Sequence, residues 1–345
     1  MFNSSLSLLD GFLRSLQLPA VGLNPKAGQL AVNGQSIVLN DGSSWASIVD
    51  AGKPLYAFST FTFTGPGSQT TGPTLAQCNS IYAGAPFLGD TELFNVENGN
   101  QLWTVPETGT YRIDLIGASE SIYSYPAKVS VDCILLKSEV LALMVGRTGS
   151  SSGNGCSLIR KWRGDLIAVS GGAAYCYFHN STPILRHVAL EFDTAQPAHG
   201  SNISFNNLGA NGGAGYVEIA PVGVAASGHM TIPPAGLASS SGGPGGWGVE
   251  YYSQDGYLLY QNGSFGGGGG GGGSAGSTVY RAIGGSGGWR GGNAASASYV
   301  NSGSSIKSAV GNPGTCYAND SVILSKSISR RSTNGNGSIT ITKLL

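Results

Sequence analysis

The residues able to do chemistry in this 345-residue chain are few and widely spaced. The pentapeptides GSSSG (149–153) and GGSGG (284–288) have the G-x-S-x-G form of a hydrolase nucleophile elbow. That motif works because a sharp turn between a strand and a helix exposes the serine. Neither pentapeptide lies between an apolar strand and a helical stretch, so glycine and serine abundance accounts for both. The run of eight glycines from Gly266 to Gly273 satisfies G-x-G-x-x-G trivially, yet lacks the preceding strand, following helix and acidic residue of a dinucleotide site. GRTGS (146–150) lacks the Gly-Lys-Ser/Thr of a phosphate loop. His179, His187, His199 and His229 have no metal-ligand spacing, and neither H-E-x-x-H nor an Asp-rich calcium loop occurs. No metal and no cofactor is expected. Glu107, Asp114, Glu120 and Asp132 would need to meet across strands to act as a glycosidase pair; solvated strand-face charges are the simpler reading. The tripeptide Arg163-Gly164-Asp165 spells an integrin-binding motif, but Gly-Asp between two apolar runs is first a hairpin turn.

A binding surface has more support than a catalytic one. EYYSQDGYLLYQN (250–262) and GGWRGGNAASASY (287–299) mix Tyr, Trp and Arg with Ser, Asn and Gly. This is the vocabulary of antibody-like contact loops, in which rigid aromatic anchors stand among adaptable polar groups. Tyr251, Tyr252, Tyr257, Tyr260, Trp289, Arg290 and Tyr299 are the candidate contact residues, suited to stacking on sugar rings. Packing against the glycine tracts is the competing role, most of all for Trp247 and Trp289, which are embedded in glycine.

The elements that must hold these residues are mainly β. Short alternating runs recur from Leu55 onward: YAFSTFTFT, LFNVENGNQLWTVP, TYRIDLIGA, KVSVDCILLK, EVLALMVG, SLIRKW, LIAVSGG, ILRHVALEF, YVEIA and SITITKLL. They read as an antiparallel sandwich. One stretch, PTLAQCNSIY, looks helical, with Pro73 as its first helical residue. Residues 1–55 read as a small anchor: an amphipathic helix over 4–17 and a hairpin turning at Asn33-Gly34. The N-terminus has no signal-peptide pattern and no 18-residue apolar run occurs, so synthesis in a cytosol without membrane insertion is expected. Five cysteines (Cys78, Cys133, Cys156, Cys176, Cys316) without a C-x-x-C pair read as reduced, packed thiols. Equal numbers of basic and acidic residues, 18 each, give no field to attract nucleic acid.

Glycine is the anomaly: 56 residues, concentrated in NLGANGGAG, SSSGGPGGWG, FGGGGGGGGSAG and AIGGSGGWRGGN between about residues 207 and 292. A lone tract would be a flexible tether. Several tracts can lie side by side as three-residue-per-turn polyglycine II helices, because without Cβ atoms their N–H and C=O groups approach closely enough to bond laterally. Gly266, Gly267, Gly268, Gly269, Gly270, Gly271, Gly272 and Gly273 are thus expected to form one rod of a bundle rather than a linker.

The order FTFTGPGSQTTGPTLAQCNSIY, NGNQLWTVPETGTYRIDLIGA, EVLALMVGRTG, SLIRKW, LIAVSGGAA, FGGGGGGGG, GGSGGWRGGNAASASY, GNGSITITKLL resembles the glycine-rich extracellular region of anaplastic lymphoma kinase and its relatives, and glycine-rich virion proteins of tailed phages. It covers about residues 57–345. The resemblance implies a TNF-like jelly-roll sandwich over 56–345 with an inserted polyglycine II bundle and a closing strand at 337–345. It also implies a non-enzymatic structural or adhesion protein of a phage virion, made in the host cytoplasm: a fibre, tail or capsid-surface component. Residues 1–55 would dock on other virion proteins, and the aromatic loops would meet a host surface glycan or outer-membrane protein. Sandwiches of this kind often form homo-trimers, whereas adhesin tips act as single copies. A secreted or cell-surface ligand-binding module is the alternative class, and a glycan-processing enzyme a third.

Overall fold

A computed structural model describes residues 54–173 apart from 68–69, 121–124, 150–152 and 163, together with 190–195, 264–268, 285–292 and 311–344 apart from 332–333. From the remaining chain it describes only strands. The first three are β1 (Leu30–Asn33), β2 (Ser36–Asn40) and β3 (Trp45–Val49). The next eight are β4 (Thr60–Thr64), β5 (Phe94–Glu97), β6 (Asn100–Thr104), β7 (Gly109–Ile116), β8 (Ala127–Leu135), β9 (Val140–Met144), β10 (Ser157–Lys161) and β11 (Leu166–Ser170). Short strands follow at β12 (Phe178–His179), β13 (Thr182–Pro183), β14 (Ile203–Phe205), β15 (Leu208–Ala210), β16 (Leu258–Gln261), β17 (Gly271–Ser274), β18 (Val279–Ala282) and β19 (Ile306–Ala309). The last are β20 (Tyr317–Ala318), β21 (Ser325–Arg330) and β22 (Ser338–Lys343). The single helix among the described residues is α1 (Leu75–Ile81). The fold is mainly β, and every strand pairing but β18 with β19 is antiparallel.

Two sheets carry the core: a five-stranded sheet in the order β21-β8-β7-β22-β4 and a six-stranded sheet in the order β20-β11-β10-β9-β6-β5. Alternation sets which side faces in. On β7, Tyr111, Ile113 and Leu115 are buried while Arg112 points out, as a strand period of two requires. These side chains share one cluster with Phe63, Val129, Val131, Ile339 and Ile341 of the same sheet and Trp103, Leu141, Leu143, Ile159 and Ile167 of the other. An edge-to-face array of Phe61, Phe63, Tyr82 and Phe87 closes one end of it. By contrast β11 is buried at every residue. A second cluster of Met144, Cys156, Leu158, Leu166, Val169 and Phe265 covers the outer face of the six-stranded sheet. A sheet covered on both faces needs apolar residues on both, which explains the unbroken runs VLALM and LIAV.

Local signals act at the joins. Asn98 (φ 49°) and Gly99 (φ 76°) supply two left-handed residues between β5 and β6, the requirement of a two-residue hairpin. Gly164-Asp165 turns β10 into β11, with the Gly164 N–H donating to the Lys161 carbonyl (3.0 Å) and Lys161 N–H to that of Asp165 (2.9 Å). Two sequence expectations shift by a residue. Thr74, extended at ψ 161°, caps α1 and exchanges bonds with Gln77 in a capping box, so Pro73 precedes the cap instead of opening the helix. In the first hairpin Asn33 pairs with Ser36 as the last residue of β1 instead of turning. Residues 4–17 and YVEIA (216–220) lie outside the described residues, as does most of ILRHVALEF.

Candidate functional site

The glycine-rich chain forms a lateral hydrogen-bonded lattice, centred on Gly153–Cys156. Three consecutive N–H groups go to three different neighbours: Asn154 donates to Ser286 Oγ (3.1 Å), Gly155 to the Arg147 carbonyl (2.9 Å) and Cys156 to the Gly266 carbonyl (3.0 Å). The carbonyls fan out in the same way. Those of Gly153, Asn154 and Gly155 accept from Ser264 (3.4 Å), Gly287 (2.9 Å) and Ala118 (2.9 Å). A pleated strand sends its groups in only two opposite directions, so this segment is not a sheet strand. Neighbouring segments continue the pattern: Gly172 donates to Gly287 (2.9 Å), Gly314 to Gly172 (3.0 Å), Ala173 to Ala118 (2.9 Å) and Gly337 to Gly146 (2.9 Å).

Glycine is obligatory here because backbones touch. A Cβ on Gly288 would lie 2.5 Å from the Thr315 nitrogen and 2.8 Å from Gly314 Cα, and one on Gly155, Gly171, Gly172, Gly287, Gly292 or Gly314 would overlap a carbonyl oxygen. Buried polar side chains complete the bonding where no backbone partner reaches. Asn154 Nδ2 (2.8 Å) and Ser286 Oγ (2.8 Å) both donate to the Ala173 carbonyl, and Ser264 Oγ donates to that of Gly153 (2.6 Å). All three residues are wholly buried and satisfied, as burial of polar groups requires.

The lattice draws less on the long tracts than the sequence suggests. Most of its segments, at 117–119, 146–149, 153–156, 171–173, 312–316 and 335–337, are short and join sheet strands. The eight-glycine run is not one rod. Gly266 (φ 98°) and Gly267 (φ 82°) turn within the lattice, Gly269 and Gly270 lie outside the described residues, and Gly271–Ser274 pairs as β17 between β16 and β18. A run with no Cβ anywhere has no intrinsic preference among these states, so its neighbours decide. What fixes it is Phe265, wholly buried in the second cluster, whose ring fills the space that Cβ atoms on Gly72 and Gly99 would occupy.

Of the candidate contact residues, Tyr251, Tyr252, Tyr257 and Tyr299 lie outside the described residues, and Tyr260 lies on β16. Trp289 and Arg290 stand beside the lattice. The Trp289 ring stacks on Tyr317 with centroids 3.9 Å apart at 13°, its Nε1 donates to the Ala195 carbonyl (2.8 Å), and its body packs on the second cluster. Trp289 thus packs against its own chain. Arg290, exposed, reaches Asp193 at 3.8 Å.

Asp114, Asp132 and Glu107 are each held by a neighbouring cation. Asp114 and Asp132 line a groove of about 290 Å³ on the outer face of β7, β8 and β21. Arg112 holds Asp132 through two bonds (2.8 and 2.9 Å), and Ser325 adds a third (2.9 Å). Lys128 (2.8 Å) and Ser130 (2.5 Å) hold Asp114. The Arg112 hydrogen bonds keep the Asp132 carboxyl below the usual carboxylate range, the opposite of what a general acid needs. Glu107, bound to Lys343 (2.6 Å), and Glu120 lie off the two ends of β7, too far apart along the strand to form a pair. Cys78, Cys133, Cys156 and Cys316 are buried, and burial pushes each thiol up to about 12. Among the described residues no three His, Cys, Asp or Glu side chains group as metal ligands, and no helix is long and apolar enough to cross a membrane.

Sequence reasoning missed Phe265, Asn154, Ser286 and Arg147, whose guanidinium donates to the Gly65 carbonyl across the lattice boundary. The signal was present: each is a lone larger residue within one to three positions of a lattice glycine. Neither a protein-family model nor a curated protein matches the chain.

Proposed function

We propose that the chain is a non-enzymatic structural or adhesion protein of a tailed-phage virion. In this reading a TNF-like jelly-roll sandwich carries a bundle of polyglycine II segments as a stiff display unit for host-surface binding or particle assembly. One observation carries it: the N–H groups of Asn154, Gly155 and Cys156 diverge to three neighbours, the pattern expected of three-residue-per-turn chains packed side by side. Such packing fixes backbone at many points without side chains. That suits a part which must hold its shape and has no reaction to perform. The Arg112-held Asp132, kept ionised, and the buried thiols, kept protonated, are in keeping with the same reading. The aromatic loops would provide the contact surface, and residues 1–55 the attachment to other virion proteins. Mass spectrometry of purified particles of the encoding phage tests this directly. The protein should be recovered in them, and its absence from intact particles would end the proposal.

A further inference from the structure

We propose that the open edge of β4 is a two-fold contact between two copies of this chain. The Lys343 N–H donates to the Ser59 carbonyl (2.8 Å), whereas Thr64 N–H turns the other way, to Tyr82 Oη (2.8 Å). Direction alternates along a strand, so Phe61 and Phe63 bond to β22 while Thr60 and Thr62 aim their N–H and C=O groups at the open side. The hydroxyl bonds Thr60–Thr342 (2.8 Å) and Thr62–Thr340 (2.9 Å) mark the same non-hydrogen-bonded pairs. Beside this edge lies a groove of about 670 Å³ lined by Phe61, Thr62, Thr64, Ile81, Tyr82 and the turn through Pro86. Ile81 is half exposed there.

Exposed edges are ordinarily blunted by charge, Pro or shortness. The other three edges of the two sheets obey: β21 carries Lys326 and Arg330, β5 carries Glu97 and β20 has two residues. β4 reads TFTFT, and among the described residues none that lines its groove is charged. A contact about a two-fold axis sets one patch against its own copy, which a lining of a single charge sign would oppose and the uncharged described lining permits. With the axis at Phe61, Thr60 faces the partner's Thr62 and Thr62 the partner's Thr60. Each pair exchanges both backbone bonds, and the two half-buried Phe61 rings meet over the groove. The five-stranded sheet becomes continuous across two molecules.

Sedimentation velocity of the full chain over the micromolar range tests this, alongside Thr62→Pro, Ile81→Lys and, as a control, Ile134→Lys on the exposed face of β8. Thr62→Pro removes an outward N–H, and Ile81→Lys puts like charges into the contact without touching the core. Wild type and Ile134→Lys should be dimers, and the two edge variants should raise the dimer Kd by about tenfold or more. If Thr62→Pro fails to fold, Ile81→Lys decides. A monomeric or trimeric wild type, or a dimer that Ile81→Lys leaves intact, overturns the proposal.

Discussion

Replacing Gly155 by Ala tests the lattice at its centre. The φ of Gly155 is not positive, so alanine is conformationally acceptable there. In a solvated spacer this change would stabilise by about 0.4–1 kcal/mol through the unfolded chain. In the lattice the new Cβ would overlap the Phe265 carbonyl oxygen and lie 2.8 Å from its carbon and 3.0 Å from the Arg147 nitrogen. Both neighbours are backbone, so relief must come from parting segments. The bonds at stake are Gly155 to Arg147, Arg147 to Phe265, Ala118 to Gly155 and Cys156 to Gly266. At about 1 kcal/mol net each, with partial relaxation, the loss is about 3 kcal/mol. For a domain of this size that corresponds to a fall in Tm of about 6–12 °C. Gly109→Ala is the matched control: its φ is also not positive, and its nearest neighbour would be Lys343 Cε at 3.6 Å. Calorimetry of the two variants beside wild type reads the difference. Equal Tm values for Gly155→Ala and Gly109→Ala would refute the lattice argument.

Phe265→Ala, which empties the site that anchors the glycine tract, should cost about 3–5 kcal/mol in urea unfolding, the usual range for a buried phenylalanine. Thiol labelling at pH 8 should leave Cys78, Cys133, Cys156 and Cys316 unmodified in the native protein, so that Cys176→Ser protein incorporates no label until denatured. Because the Asp132 pKa is lowered in the folded state, its ion pair stabilises above the ordinary carboxylate pKa and loses that contribution as pH falls through the folded value. Asp132→Asn should therefore cost about 0.5–1 kcal/mol at neutral pH, with the difference from wild type disappearing in acid; a difference constant with pH would exclude this ion pair as its source.

The strands were legible wherever one face meets solvent. Tyr111, Ile113 and Leu115 alternate with outward residues, and SITITKLL reads directly as β22. Where both faces are covered, as on β11, composition marked a strand but concealed that a second layer lay on it. Close approach of backbones at glycine was legible, but not the positions where it occurs. The longest run is the most conspicuous signal in the sequence, yet length is irrelevant when each close approach needs one glycine at one level. Isolated ones such as Gly117, Gly146 and Gly337 serve as well. The contact residues were the least legible, because Trp289 looks the same whether it stacks on a ligand or on Tyr317.

The overlap met by a Cβ at Gly155, Gly287 or Gly314 bears on how this molecule can evolve. Every amino-acid change at a glycine codon adds at least one carbon, so the lattice interior is closed to stepwise substitution. The chain entering and leaving that interior has no such restriction. Diversification should therefore proceed by exchange and lengthening of the connecting loops on a nearly invariant frame, with related molecules differing in what they present and hardly at all in what supports it.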